Sequence, residues 1–177
     1  MSFETRPQWQ GWRLAPLVGG SVRGMLPPDA PDRPCWVVHC DGSAQPNPGR
    51  MGLGAVLVAP DGSRHALSEV APDRGCNNEA ELRALMAALQ HLVSQGATAA
   101  RFYSDNSILV EQLQGNGGVP PVARLAPLFD RARALLAGLE HGSVHWLPRH
   151  RNAEADALAR AALGLAPKPA PRWRKRR

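Results

Sequence analysis

The chain has 177 residues, with 21 Lys and Arg against 15 Asp and Glu, and only three cysteines. That length suits one domain with tails, large enough to bury a core without disulfide staples, and its longest apolar stretch, "LGAVLVAP", is too short to cross a bilayer. The ten residues 168–177 carry six of the basic side chains and no acid, so the body is formally neutral and the positive excess sits in the tail. In chain order, residues 1–34 are broken by Gly19, Gly20, Pro27, Pro28, Pro31 and Pro34 and read as an irregular extension, with Trp9 and Trp12 either docking on the body or stacking on bases. "CWVVHCD" is a predicted strand, "GLGAVLVAP" a second, and "DG" at 61–62 turns into a third, "SRHALSEVA". "NNEAELRALMAALQHLV" has Leu82, Leu85, Met86, Leu89, Leu92 and Val93 at helical spacing, ended by Gly96. "ARFYSD" is a fourth strand, "NSILVEQLQ" a short helix, 121–139 another helix, "SVHWLP" a fifth strand and "NAEADALARAAL" the last helix. Three consecutive strands followed by alternating helices and strands predict an α/β domain over 35–165, with a mixed five-stranded sheet and helices on both faces.

The tail, 166–177, alternates Pro with basic residues. It suits a polyanion such as nucleic acid through counterion release, or else a solvated end. Cys35, Cys40 and Cys76 match no zinc spacing and read as free thiols in a reducing compartment. No basic-then-apolar signal pattern opens the chain. A cytoplasmic protein without membrane contact, acting as a monomer, is the expectation.

Four carboxylates stand in unusual places. Asp41 and Asp105 each end a predicted strand, and parallel neighbours would present both at the same sheet edge, where α/β folds bind ligands. Asp105 also stands where a helix N-cap belongs. Glu81 lies three residues after Asn78, at capping-box spacing, yet borders the apolar face of its helix. Asp156 shares a stripe with Ala159 and Leu163, behind Asn152 as a natural N-cap, and a carboxylate on such a stripe needs a cation. Four acids brought together repel unless cations neutralise them, and an all-oxygen set selects a hard ion, Mg²⁺ or Mn²⁺. Two such ions can activate water and stabilise a leaving alkoxide.

In the segments "CDGSAQPNPGRMGLGAVL", "NNEAELRALMAAL", "SDNSILVEQL" and "HRNAEADALARAAL", the chain resembles type 1 ribonuclease H, of the reverse-transcriptase-like group. The four blocks run in family order over roughly residues 36–164. The resemblance implies a sheet of strand order 3-2-1-4-5, counted from "CWVVHCD", with strand 2 antiparallel. It maps an Asp-Glu-Asp-Asp set onto Asp41, Glu81, Asp105 and Asp156, leaving Glu79 as an ordinary first-turn acid. It implies endonucleolytic hydrolysis of the RNA strand of RNA–DNA hybrids, to 5′-phosphate and 3′-hydroxyl ends, with two Mg²⁺ ions for which Mn²⁺ can substitute. Asn47, Asn77 and Asn78 then resemble the family's minor-groove contacts, although Asn47 in "NPG" is equally a turn residue.

Two departures from the family pattern stand out. Many members place a histidine on a flexible loop before the last aspartate. Here "PRHRNAEAD" is short, so that either His150 takes that role or it is a solvated loop residue while Arg149 contacts phosphate. No basic helix-and-loop segment follows the fourth strand. The competing readings are a binding module without catalysis and a related nuclease for double-stranded RNA.

Overall fold

The computed structural model describes residues 15–16, 34–115 and 123–168. Six strands form one sheet: β1 (Ala15–Pro16), β2 (Trp36–Gln45), β3 (Gly49–Val58), β4 (Arg64–Gly75), β5 (Ala99–Ser104) and β6 (His141–Trp146). Their order is β1-β4-β3-β2-β5-β6. Without the two-residue β1, this is the expected five-stranded order. β3 runs antiparallel to β2 and β4, and β5 runs parallel to both β2 and β6. The sequence predicts an irregular extension over 1–34, yet Ala15–Pro16 adds an edge pair on β4. The rest of that extension, with Trp9 and Trp12, lies outside the described residues, as do tail residues 169–177.

The helices are α1 (Asn77–Ser94), α2 (Ser107–Gln114), α3 (Ala126–Ala137) and α4 (Ala153–Ala162). The sequence predicts one apolar face for α1, and the structure buries more. Leu82, Leu85, Leu89 and Leu92 are buried, and so are Ala80, Ala84, Ala87 and Ala88. The reason is that α1 lies between the sheet and α3, so both sides are covered. Val93, in its last turn, is exposed instead. The expected single helix over 121–139 divides into a 3-10 turn at Ala123–Leu125 and α3. Pro127, which tolerates only a first-turn position, sets where α3 begins. Pro148 lies beyond the end of β6, since proline cannot donate to a ladder. Among the described residues no helix is long and apolar enough to cross a membrane.

β2 and β4 outrun their predicted ends, and β2 does so with consequence. Asp41 is not a terminal residue but lies mid-strand, paired with Gly54 of β3. On its other side, pairing with β5 stops at His39↔Tyr103. From Cys40 onward β2 has β3 as its sole ladder partner among the described residues, and the gap left by β5 opens beside Asp41. α4 packs on β3 through small residues. A Cβ on Gly54 would overlap the Ala155 carbonyl oxygen and the Ala159 nitrogen, so the helix backbone rests directly on the strand.

Candidate active site

A cleft of about 370 Å³ opens at this gap, lined by Asp41, Glu81, Asp105 and Asp156 together with Asn77, Asn78, Asn106, Arg149 and Lys168. Each carboxylate comes from a different element. Asp41 is on β2, Glu81 in the second turn of α1, Asp105 just past β5 and Asp156 in the first turn of α4. Three side chains that could have capped helices do other work. Asn106, not Asp105, caps α2, its Oδ1 accepting from Leu109 N at 3.1 Å. That releases the Asp105 carboxylate. No capping box forms at Glu81, because α1 begins after Cys76 without a side-chain cap. Asn152 makes no cap bond either. Its Nδ2 donates to Cys40 O at 3.0 Å and to Asp105 Oδ1 at 2.8 Å, and the residue is 1% exposed.

Asn152 thus ties the α4 entrance to β2 and orients Asp105, a role that its position as a natural cap conceals in the sequence. Asn152→Ala should destabilise the fold by about 2 kcal/mol, because a buried Cys40 carbonyl loses its donor. Cleavage should fall about tenfold as Asp105 loses its orientation. Thermal unfolding and initial cleavage rates on an RNA–DNA hybrid measure the two effects separately.

Crowding and burial act on the two innermost acids. Burial, followed by the charges of Glu81, Asp105 and Asp156, raises the pKa of Asp41 to about 8, against a lesser lowering by the Gly42 backbone. Burial raises Glu81 to about 7, opposed first by a hydrogen bond from Asn106 and then by Arg149 and Lys168. Glu81 Oε2 is buried without a hydrogen-bond partner. Such an orphaned oxygen inside a carboxylate cluster is what a hard cation satisfies, so the donor set fits Mg²⁺ or Mn²⁺. Among the described residues no three acidic, His or Cys side chains already surround a common ion position. Basic side chains answer the charge instead. Arg149 stands 3.9 Å from Asp105 and 3.8 Å from Asp156, and Lys168 Nζ contacts Asp156 Oδ1.

The remaining expected residues divide. Asn77 and Asn78 line the cleft and also serve the fold. Asn77 Oδ1 accepts from Ala44 N at 2.8 Å, and Asn78 Oδ1 accepts from Asn106 Nδ2 at 3.3 Å. Asn47 is exposed, does not line the cleft, and accepts from Asn77 N at 3.2 Å. His150 lies in a 3-10 turn at Arg149–Arg151, exposed and outside the cleft lining, while its neighbour Arg149 reaches the acids. Glu79 pairs with Arg83 at 3.0 Å, and Glu154 pairs with Arg64 at 2.6 Å, both as ordinary helix acids. Cys35, Cys40 and Cys76 are unpaired thiols. Asn106 and Lys168 carry no functional assignment from sequence. Asn106 reads there only as a helix opener, and Lys168 as one of several tail charges.

A mixed sheet of this order, with acids from one strand, from just past its parallel neighbour and from two helices meeting where that pair parts, defines the ribonuclease H-like fold. Residues 39–162 match the family model described as reverse transcriptase-like, and the chain belongs to that family, the ribonuclease H group. It is 36% identical to ribonuclease HI of Halobacterium salinarum over 148 residues, covering 82% of this chain and 73% of that protein. The solved RNase H1 of that archaeon superposes with a TM-score of 0.68 at 34% identity, over 73% of this chain and 98% of that one. LC11-RNase H1, solved in complex with an RNA/DNA hybrid, gives a TM-score of 0.64 at 27% identity, over 73% and 96% of the two chains. The bifunctional protein Rv2228c of Mycobacterium tuberculosis is 39% identical over 131 residues, 73% of this chain. The match spans 36% of that protein's length.

Proposed function

We propose that this chain is an endoribonuclease that hydrolyses the RNA strand of RNA–DNA hybrids, leaving 5′-phosphate and 3′-hydroxyl ends. The observation that carries the reading is the convergence of Asp41, Glu81, Asp105 and Asp156 on one open cleft with amide side chains at its rim. Family membership and the hybrid bound by the LC11 relative supply its substrate class. Two divalent cations held by the four carboxylates would supply an activated water and stabilise the departing 3′ oxygen. Asp41, whose charge is felt together with those of Glu81, Asp105 and Asp156, would be one of the residues that hold them. The chain's own contribution is placement. Asn152 fixes Asp105, Asn106 caps α2 and holds Asn78 at the cleft edge, and the parting of β2 from β5 leaves room for a phosphodiester beside Asp41. Asn77 and Asn78 offer amide groups at the cleft edge that suit 2′-hydroxyl and base-edge contacts, the feature that separates RNA from DNA. Arg149, exposed and beside Asp105 and Asp156, is placed to meet a phosphate.

The test is cleavage of end-labelled substrates with Mg²⁺ under one condition: an RNA–DNA hybrid, double-stranded RNA and double-stranded DNA. The hybrid should be cut at least about a hundredfold faster than either alternative, given a site built to contact a 2′-hydroxyl in a mixed duplex. Equal cutting of double-stranded RNA would replace this reading with a double-stranded ribonuclease. Binding without cutting would replace it with a binding module.

A further inference from the structure

After α4 the chain turns back on itself. Gly164 takes a left-handed conformation, with φ of 73°, and Leu165 N donates to Arg160 O at 3.0 Å. The Arg160 guanidinium then holds the Ala166 carbonyl at 2.8 Å. Those contacts aim the following residues along α4 toward its N-terminal end. Lys168, twelve residues beyond Asp156, brings its ammonium onto Asp156 Oδ1. The sequence helps, because Pro167 restricts the backbone just before Lys168. The Asp156 side chain is 12% exposed and that of Lys168 42%, so the carboxylate is shielded while the ammonium arrives from the solvent side, whereas Arg149 stays at 3.8 Å with a side chain 69% exposed. Lys168 lines the same cleft as the other three acids and acts electrostatically on Glu81 as well.

We propose that Lys168 is a tethered counter-cation of the carboxylate cluster, which a divalent ion must displace from Asp156 before the site is loaded. The inference rests on the reading of the four acids as cation ligands, and adds a competitor supplied by the chain itself. An ammonium and a divalent ion cannot share the same carboxylate oxygen at close range without mutual repulsion. The tail therefore sets the threshold of divalent ion needed for activity. It lowers the apparent affinity by the fraction of molecules in which the ammonium is engaged. Displaced Lys168 would lie at the rim of the cleft as a free cation, where the phosphates of an arriving polyanion attract it. Ion and nucleic acid then favour the same released state and load cooperatively.

Mn²⁺ binding to the metal-free full chain at neutral pH, followed by the loss of the free-ion electron paramagnetic resonance signal, tests this without turnover. Lys168→Met should bind Mn²⁺ about fivefold more tightly than the wild type, the upper size expected of one half-exposed ion pair. Lys168→Arg keeps the charge and should stay within about twofold of the wild type. In an Asp156→Asn background the Lys168→Met effect should vanish, since the two residues act as a pair. Equal affinity in wild type and Lys168→Met, or no binding by either, overturns the proposal. Hybrid cleavage by the same wild-type preparation shows separately whether the nuclease reading stands.

Discussion

Asp41→Asn should lower hybrid cleavage by about 10³-fold or more and, at the same time, stabilise the metal-free protein at pH 8. Loss of activity follows from removing the central oxygen donor of the cluster, whose charge no neighbour can replace. The gain in stability follows from the energetics of the empty cluster. Burial and three neighbouring carboxylates raise the Asp41 pKa from its ordinary 3.8 to about 8. Below the ordinary value, folded and unfolded chains both carry the proton. Between there and about pH 8 the unfolded chain releases the proton while the folded chain keeps it, so the unfolded state gains and stability falls as pH rises. Glu81, raised to about 7, acts in the same direction over a narrower window. The neutral amide introduced by the substitution carries no such cost. The metal-free variant should be about 2 kcal/mol more stable than wild type at pH 8, a Tm higher by about 5 °C. The difference should shrink toward pH 4 and also when Mg²⁺ is added to the wild type. Thermal melts in a chelator across that pH range, paired with cleavage assays, measure both. A variant that loses activity and stability together would show instead that Asp41 is a structural residue.

The strand and helix order was legible because each element carries its period plainly. β2 and β3 alternate or run apolar between Pro and Gly, and α1 repeats leucine at helical spacing. The strand order itself came from the resemblance, not from periodicity. The four acids were legible as anomalies, since carboxylates on a strand and on an alanine stripe lack an ordinary purpose. Their competing roles as caps could not be resolved from sequence, because Asp, Asn and Glu near a helix start are interchangeable signals. The structure decides between them through Asn106 and Asn152, whose amides reach partners 3 residues and 112 residues away respectively. Contacts of the second kind leave no local pattern. Lys168 was hidden for a related reason. In a run of tail charges nothing marks Lys168 as a residue that the Gly164 turn and the Arg160 bond return to Asp156.

Gly42→Ala should have the largest effect on the fold of any single methyl group near the cleft, and it answers why glycine follows the central aspartate. A Cβ at Gly42 would overlap the carbonyl carbon of Ala80 and the backbone nitrogen of Glu81. Both are main-chain atoms of α1, so no side chain can rotate away to make room, and the helix itself must retreat from β2. Overpacking against backbone should cost about 3 kcal/mol or more. It also acts on chemistry, because the displaced segment carries Glu81 and with it one wall of the cleft. A shift of about 1 Å in a ligand's position reduces cleavage by about a hundredfold. Gly62→Ala is the matched control. Gly62 has φ of 85° in the β3–β4 turn and open space around its missing Cβ. That substitution should cost only the conformational penalty, about 1–2 kcal/mol, and leave cleavage by the folded protein unchanged. Melting temperature and cleavage rate at a temperature where both variants are folded separate the two mechanisms. If Gly42→Ala retained full activity per folded molecule, α1 would be free to move without carrying Glu81, and the close approach of helix to strand would serve packing alone.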